Sequence, residues 1–366
     1  MKVIISGGGT GGHIFPAIAI AQELQARVPG VNILFVGAKG RMEMEKVPQA
    51  GYEIIGLDVA GFNRSSLLKN YSLPWKLVKS LYQAWRILVQ YKPTVVVGVG
   101  GYASGPVLYL ANWLRIPTLI QEQNSFAGKT NMILGKKAAK ICVAYDHMER
   151  FFPKEKIVVT GNPVRKDLEG LETRRNEAMA YFGLDQNKKT ILVMGGSLGA
   201  RSINESMAAG HERISSQSTV QWIWQYGKQG IEKFSRSATG GLVNVKALPF
   251  IDRADLAYAA ADVLLCRAGA LTISEVLIAN KPVVLVPSPS VAEDHQTHNA
   301  RALSDAGAAW MLPDREVVQK GTDQVIRLLQ DSGAMTRMKQ AQKTLARPGA
   351  AAAIVDQIFQ INPMAA

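Results

Sequence analysis

Short runs of β-branched and aliphatic residues, each closed by glycine, proline or polar punctuation, recur along this chain. Val3 to Ser6, Val31 to Val36, Tyr52 to Leu57, Val95 to Val99, Pro117 to Gln121 and Ile141 to Ala144 read as strands. Helical patterns separate most of them, which predicts βαβ units around a parallel sheet. Gly161-Asn162-Pro163 ends that series. A second begins with Thr190 to Met194 and continues through Gln221 to Gln225, Val243 to Ala247, Val263 to Cys266, Val283 to Pro287 and Ala309 to Leu312. The expected fold class is therefore α/β with doubly wound domains, residues 1–161 forming the first and 162–348 the second. A last helix, Ala350 to Phe359, carries one apolar face and suits packing on either domain.

Each series opens in the same way. Val3 to Ser6 runs into Gly7-Gly8-Gly9-Thr10-Gly11-Gly12-His13 and then Pro16, which suits a first helical turn; Leu192 to Met194 runs into Gly195-Gly196-Ser197-Leu198-Gly199-Ala200-Arg201. A third cluster, Gly98-Val99-Gly100-Gly101-Tyr102-Ala103-Ser104-Gly105-Pro106, repeats the logic inside the first domain. A strand, a glycine turn and a helix N-terminus together aim N–H groups and a positive dipole end at an anion, so phosphate or diphosphate is the expected ligand. Ligands of open parallel sheets lie beyond the carboxyl ends of the strands, and both domains are expected to border a cleft there. The opening loop fits neither the dinucleotide fingerprint nor the Lys-Ser/Thr phosphate loop. A nicotinamide-binding unit also needs an acidic ribose ligand after its second strand, where this chain has Gly37-Ala38-Lys39-Gly40-Arg41.

Charge adds a direction. The 366 residues carry a net +13, of which residues 1–161 hold +10 and the remainder +3. Between Asp58 and Glu122 there is no acidic residue, yet Arg64, Lys69, Lys76, Lys79, Arg86, Lys92 and Arg115 lie there. Such a surface suits anionic lipid, nucleic acid or a phosphorylated substrate. Nucleic acid is disfavoured because no aromatic stacking motif is interleaved with the cations. The stretch Gly61 to Arg86, with Leu73, Trp75, Lys76 and Lys79, suits a surface lying on an anionic membrane. No span is expected: Pro93 to Leu114 is broken by glycines and a proline, and the short run before the first glycine turn leaves no room for a secretory signal. Cys142 and Cys266 each follow an apolar run, as small core residues do in a reducing compartment.

Further along come Gln121-Glu122-Gln123-Asn124, Cys266-Arg267-Ala268-Gly269-Ala270 leading to Glu275, and Glu293-Asp294-His295-Gln296-Thr297-His298-Asn299-Ala300. With the glycine loops, these residues resemble the MurG family, from residue 1 to the last helix. That family transfers N-acetylglucosamine from UDP-N-acetylglucosamine to undecaprenyl-diphosphate-linked N-acetylmuramyl pentapeptide in bacterial peptidoglycan synthesis. The resemblance implies a GT-B fold with the sugar nucleotide on the C-terminal domain and the lipid-linked acceptor on the N-terminal one. It also implies that the last helix, about 349–362, returns to the N-terminal domain. Attachment to the cytoplasmic face of the plasma membrane follows from it, with room for other cell-wall proteins as partners.

Carried over to this sequence, the resemblance assigns Glu275 to the ribose hydroxyls, Ser197 and its loop to the phosphates, Ile251 with Arg165 to the uracil, and Gln296 with Asn299 to the sugar. Thr10, Gly11, Gly12, Asn124, Arg267 and Ala270 join the sugar-nucleotide contacts, while Gly9, Gly12, Gly101, Tyr102 and Ser104 belong to the acceptor loops. For Arg267 a structural salt bridge is an equal reading. His13 is the candidate base, since an imidazole with an ordinary pKa of about 6.5 suits proton transfer near neutrality. Glu122 and Asn124 are the alternative groups for orienting the hydroxyl. His295 and His298 stand beside Glu293 and Asp294, but no third ligand cluster accompanies them and no Asp-x-Asp triplet occurs, so neither metal nor cofactor is expected. A UDP-sugar epimerase or a transferase with a soluble acceptor is the competing reading.

Overall fold

A computed structural model describes residues 1–59, 73–164, 166–168, 170–196, 198–291 and 294–362. Arg165, Ser197 and the segment 60–72 lie outside the described residues, as does the side chain of Leu73. The chain divides into two compact units, one of residues 1–164 with 347–366 and the other of residues 165–346.

The first unit runs β1 (Lys2–Ser6), α1 (Gly11–Arg27), β2 (Asn32–Ala38), α2 (Glu43–Gln49), β3 (Glu53–Leu57), α3 (Leu73–Tyr91), β4 (Val95–Gly98), α4 (Ser104–Trp113), β5 (Thr118–Glu122), α5 (Lys129–Gly135), β6 (Lys140–Val143) and β7 (Ile157–Val159). All strands are parallel, in the order β3-β2-β1-β4-β5-β6-β7. Helices cover both faces, so the strands read as continuous apolar runs, while the pleat sends alternate residues to opposite sides. Val3, Ile5, Val95 and Val97 pack with Ile14, Ala17 and Leu24 of α1, whereas Ile4 and Val96 pack with Ala84 and Leu88 of α3 and Val107, Leu108 and Ala111 of α4.

The second unit runs α6 (Arg175–Phe182), β8 (Lys189–Met194), α7 (Arg201–Ala209), α8 (His211–Ser215), β9 (Val220–Gln225), α9 (Ile231–Phe234), β10 (Val245–Leu248) and α10 (Ala254–Ala260). It continues with β11 (Val263–Arg267), α11 (Ala270–Ala279), β12 (Val283–Val286), α12 (His295–Asp305), β13 (Trp310–Met311), α13 (Asp314–Gln330) and α14 (Ser332–Leu345). Its parallel sheet has the order β10-β9-β8-β11-β12-β13. Trp222 and Trp224 are fully buried; Trp224 donates from its indole to Asn204 Oδ1 at 3.0 Å, which satisfies its own polar atom. The last helix, α15 (Ala350–Ile361), belongs to the first unit, where Ile354, Val355 and Ile358 join the α1 side of the core and Asp356 meets Arg27 at 2.6 Å.

Both cysteines are buried and unbridged, and burial pushes each thiol up to about 12. Among the described residues, no helix is long and apolar enough to cross a membrane. One charge expectation is corrected. The cations after Asp58 do not all stand unopposed: Lys79, at 3.0 Å, then Gln83 and Lys39 hold the Asp58 carboxyl well below the usual carboxylate range.

Candidate functional site

In each unit the strand order reverses between two neighbours, β1 and β4 in the first and β8 and β11 in the second. The crossovers leave these pairs in opposite directions, which opens a crevice beyond their carboxyl ends. The glycine loops sit there.

In the first unit, the loop before α1 and the loop before α4 touch directly. Gly8 N–H donates to Gly100 O at 3.2 Å, and a Cβ on Gly101 (φ +87°) would lie 2.3 Å from Gly8 O, so only glycine allows this approach. Ser104 is fully buried and donates to Gly101 O at 2.8 Å, while Tyr102 beside it is exposed. Gly9 and Thr10 are exposed, and Gly11 and Gly12 form the open first turn of α1.

His13 stands at that turn. Its Nδ1 lies 3.1 Å from Gly8 O and 3.3 Å from Thr10 Oγ1. A carbonyl only accepts, so Nδ1 carries the proton of the neutral ring and the lone pair resides on Nε2. Nε2 faces Gly100: a Cβ there would meet it at 2.9 Å, so glycine makes room for the ring.

Glu122 is turned inward at the end of β5. Its Oε1 accepts from the Asn124 N–H at 3.1 Å and the Asn124 amide at 3.3 Å; Oε2 accepts from Gly128 N–H at 3.1 Å and Asn131 Nδ2 at 2.8 Å. Burial pushes its carboxyl up, against the pull of these four donors. Such a group pins the loop 123–128 rather than meeting solvent. Around it Gln121, Gln123 and Asn162 form a buried amide network: Gln121 donates to Asn162 Oδ1 at 2.8 Å, Asn162 to Gln123 O at 3.0 Å, and Gln123 to Val99 O at 2.8 Å. The network ties the β5 loop to the loop after β4.

Glu43 was not singled out from sequence. It is 1% exposed and accepts from Gly9 N–H at 2.8 Å and Ala38 N–H at 2.9 Å, joining the loops after β1 and β2. The space it occupies exists because residues 8 and 37 are glycine; a Cβ at either would fall within 2.5 Å of its side chain.

In the second unit, Gly199 (φ +87°) and Gly227 (φ +80°) press the β8 loop against the end of β9, while Gly196 faces open space. Ala270 opens α11 behind Gly269. Glu275, half-buried on α11, accepts from the hydroxyl of buried Tyr258 at 3.0 Å. Gln296 Oε1 accepts from Ser288 N–H at 2.8 Å; Asn299, one turn on, is buried. Ile251 is buried beyond β10, and Phe250 beside it is exposed. Arg267 bonds Asp314, Ser202 Oγ at 3.0 Å and Val286 O at 3.3 Å, which fastens β11 to β12, α7 and α13.

Two family models cover this architecture, the glycosyltransferase family 28 N-terminal domain over residues 3–143 and its C-terminal domain over residues 190–354. A Flavobacterium psychrophilum protein named UDP-N-acetylglucosamine--N-acetylmuramyl-(pentapeptide) pyrophosphoryl-undecaprenol N-acetylglucosamine transferase is 52% identical over 98% of this chain and 97% of its own length. The chain belongs to the MurG family. A Parabacteroides distasonis protein of the same name is 50% identical over 98% of both chains. The crystal structure of Acinetobacter baumannii MurG matches with a TM-score of 0.78 at 31% identity, covering 98% of this chain and 99% of that one. Two Rossmann-like units in this family make the GT-B fold. The UDP-GlcNAc 2-epimerase of Neisseria meningitidis shares the fold, with a TM-score of 0.68 at 16% identity over 98% and 100% of the two chains.

Proposed function

We propose that this chain transfers N-acetylglucosamine from UDP-N-acetylglucosamine to a hydroxyl of the muramyl sugar in undecaprenyl-diphosphate-linked N-acetylmuramyl pentapeptide. The observation that carries the reading is the end-to-end match, at about half identity, to transferases of that stated activity. His13 Nε2 takes the proton of the attacking hydroxyl. The new bond joins that oxygen to the anomeric carbon, the bond to the β-phosphate oxygen breaks, and its electron pair leaves with UDP. One displacement inverts the anomeric carbon.

The donor belongs to the second unit. Glu275, held by Tyr258, accepts from the ribose hydroxyls; Gln296 donates to the sugar hydroxyls; Asn299 braces the same turn; and the N–H groups of the loop after β8 meet the diphosphate. Ser197 and Arg165 complete the nucleotide contacts in this reading. The acceptor belongs to the first unit, at the loops of Gly9 to Gly12 and Gly101 to Ser104. Glu122 acts there by positioning Asn124. His13→Ala is expected to lower kcat by about 10² to 10⁴ with UDP affinity unchanged. Turnover within threefold of the parent would remove His13 from the role.

The acceptor is a lipid, and the first unit carries a surface for one. Trp75 (74% exposed), Leu77, Val78, Tyr82 and Trp85 are exposed on α3 with Lys76 and Arg86, and Tyr109 and Trp113 (68% exposed) are exposed on α4, the helix packed beside it. Apolar groups enter the headgroup boundary and cations meet anionic lipid at about 1 kcal/mol each, so the chain attaches peripherally to the cytoplasmic face of the membrane. Co-sedimentation with anionic vesicles should fall with salt and weaken in Trp75→Ser and Lys76→Glu. Equal binding to neutral and anionic vesicles would contradict this attachment.

A further inference from the structure

Gln123, 1% exposed, stands in the loop after β5. Its amide can sit only one way round, because the NH2 end meets acceptors: Val99 O at 2.8 Å, Gln121 O at 3.3 Å and Gln121 Oε1. Gln121 is itself oriented, since its own NH2 donates to Asn162 Oδ1. The oxygen of Gln123 therefore points away from the network. There Oε1 is buried with no hydrogen-bond partner among the described residues. A buried acceptor without a donor costs stability, which favours any state of the protein that brings it one.

His13 can supply that donor. Gln123 Oε1 lies 3.7 Å, and His13 Nε2 2.9 Å, from the single point where a Cβ on Gly100 would stand. Gly100 holds a left-handed φ of +89°, so both atoms border the space that its missing side chain leaves. With Nδ1 protonated against Gly8 O, the neutral ring presents a lone pair there. Two acceptors then face one gap. A proton on Nε2 replaces their repulsion with attraction between an imidazolium N–H and an amide oxygen, and a hydrogen bond to the charged form favours that form. The titratable groups on the neighbouring loops are placed otherwise: Glu43 accepts from Gly9 and Ala38, Glu122 accepts from four donors, Lys39 meets Asp58 at 3.1 Å, and Arg41 and Tyr102 are exposed.

We propose that Gln123 is a positioning residue for glycosyl transfer. It touches no substrate; its Oε1 accepts from Nε2–H once His13 has taken the proton of the attacking hydroxyl, and so holds the imidazolium until that proton passes to solvent. The inference rests on His13 as the base. The test follows the ring resonances of His13, assigned by their absence from His13→Ala, through a pH titration of the full chain, of Gln123→Met and of Gln121→Met. Gln123→Met keeps the shape of the side chain and removes the oxygen. Gln121→Met opens the same amide network while Val99 O still holds the Gln123 NH2. The His13 midpoint should fall by about one pH unit in Gln123→Met and keep the parent value in Gln121→Met. The acidic limb of kcat/KM should move down with it, and kcat on the plateau should drop by about three- to tenfold. A further measurement needs no variant: below the midpoint, the Nε2 proton of the parent should exchange slowly with water and show a cross-peak to the Gln123 side chain. A midpoint that moves equally in both methionine variants, or in neither, overturns the proposal, as does a freely exchanging Nε2 proton in the parent. An unmoved midpoint beside an inactive His13→Ala removes Gln123 and leaves the base in place. The expected midpoint shift beside a fully active His13→Ala removes the base, and the role of Gln123 in transfer with it.

Discussion

Replacing Glu122 by glutamine separates a loop clamp from a catalytic base. Its two oxygens accept four N–H donors, two from Asn124 and one each from Gly128 and Asn131. Glutamine retains one oxygen, which keeps the Asn124 pair, and turns an NH2 toward the other two donors. Asn131 relieves half of that conflict by turning its amide over, because its Oδ1 is buried with no partner. What remains lost is one charge-assisted hydrogen bond at Gly128, worth about 1.5–3 kcal/mol. At ~2–4 °C per kcal/mol for a unit of this size, the melting temperature should fall by roughly 3–12 °C. Removal of a buried charge returns part of this, so the lower end is expected at neutral pH. The sign of the pH dependence is fixed by burial, which raises the folded-state pKa of Glu122. The folded chain takes up its proton before the unfolded chain does, so the stabilising contribution is full below the ordinary pKa of about 4.3 and is lost as pH rises through the folded value. The deficit of Glu122→Gln should therefore widen as pH is lowered from 7. Urea denaturation at several pH values with initial-rate kinetics provides the readout. A variant as stable as the parent whose kcat falls a hundredfold, with the acidic limb of its pH profile gone, would refute the clamp and make Glu122 the base.

Glu43→Ala strands the buried N–H of Ala38, at about 1–3 kcal/mol, and releases the Gly9 N–H to water, and should lower both stability and kcat while leaving UDP affinity intact; stability within 0.5 kcal/mol by urea titration would contradict that. Glu275→Ala should weaken UDP binding by about 10- to 100-fold through loss of charge-assisted hydrogen bonds, and Tyr258→Phe by less, since it only frees the carboxylate to reorient. Unchanged UDP affinity by calorimetry in Glu275→Ala would remove it from the nucleotide site.

Much of this architecture is legible in sequence because both sheets are buried on both faces. A run such as Val95-Val96-Val97 has no other stable use. The strand β7 escapes that reading because it is short and runs directly into the Gly161 turn. Val243 was expected to open a strand and is instead fully exposed; β10 starts at Val245, after Asn244 turns its amide onto the carbonyls of Ile214, Gln217 and Val220. Glycine loops and His13 are legible because their backbone needs are local. Glu43 is not: in sequence it belongs to a charged helix beside Glu45 and Lys46, and its burial depends on glycines on two other strands' loops. The same long-range dependence hides the pairing of Lys79 with Asp58 and the inward turn of Glu122, whose position the motif marks but whose direction only the fold decides.

The most direct measurement incubates the purified chain with radiolabelled UDP-N-acetylglucosamine and undecaprenyl-diphosphate-linked N-acetylmuramyl pentapeptide, a chelator present, and quantifies label in the lipid fraction alongside UDP. Glycosyl transfer predicts one lipid-borne N-acetylglucosamine for each UDP released, and neither product when the acceptor is omitted. Label that stays in the aqueous phase with acceptor present, or an acceptor-independent conversion of the nucleotide sugar into its 2-epimer, would contradict the account.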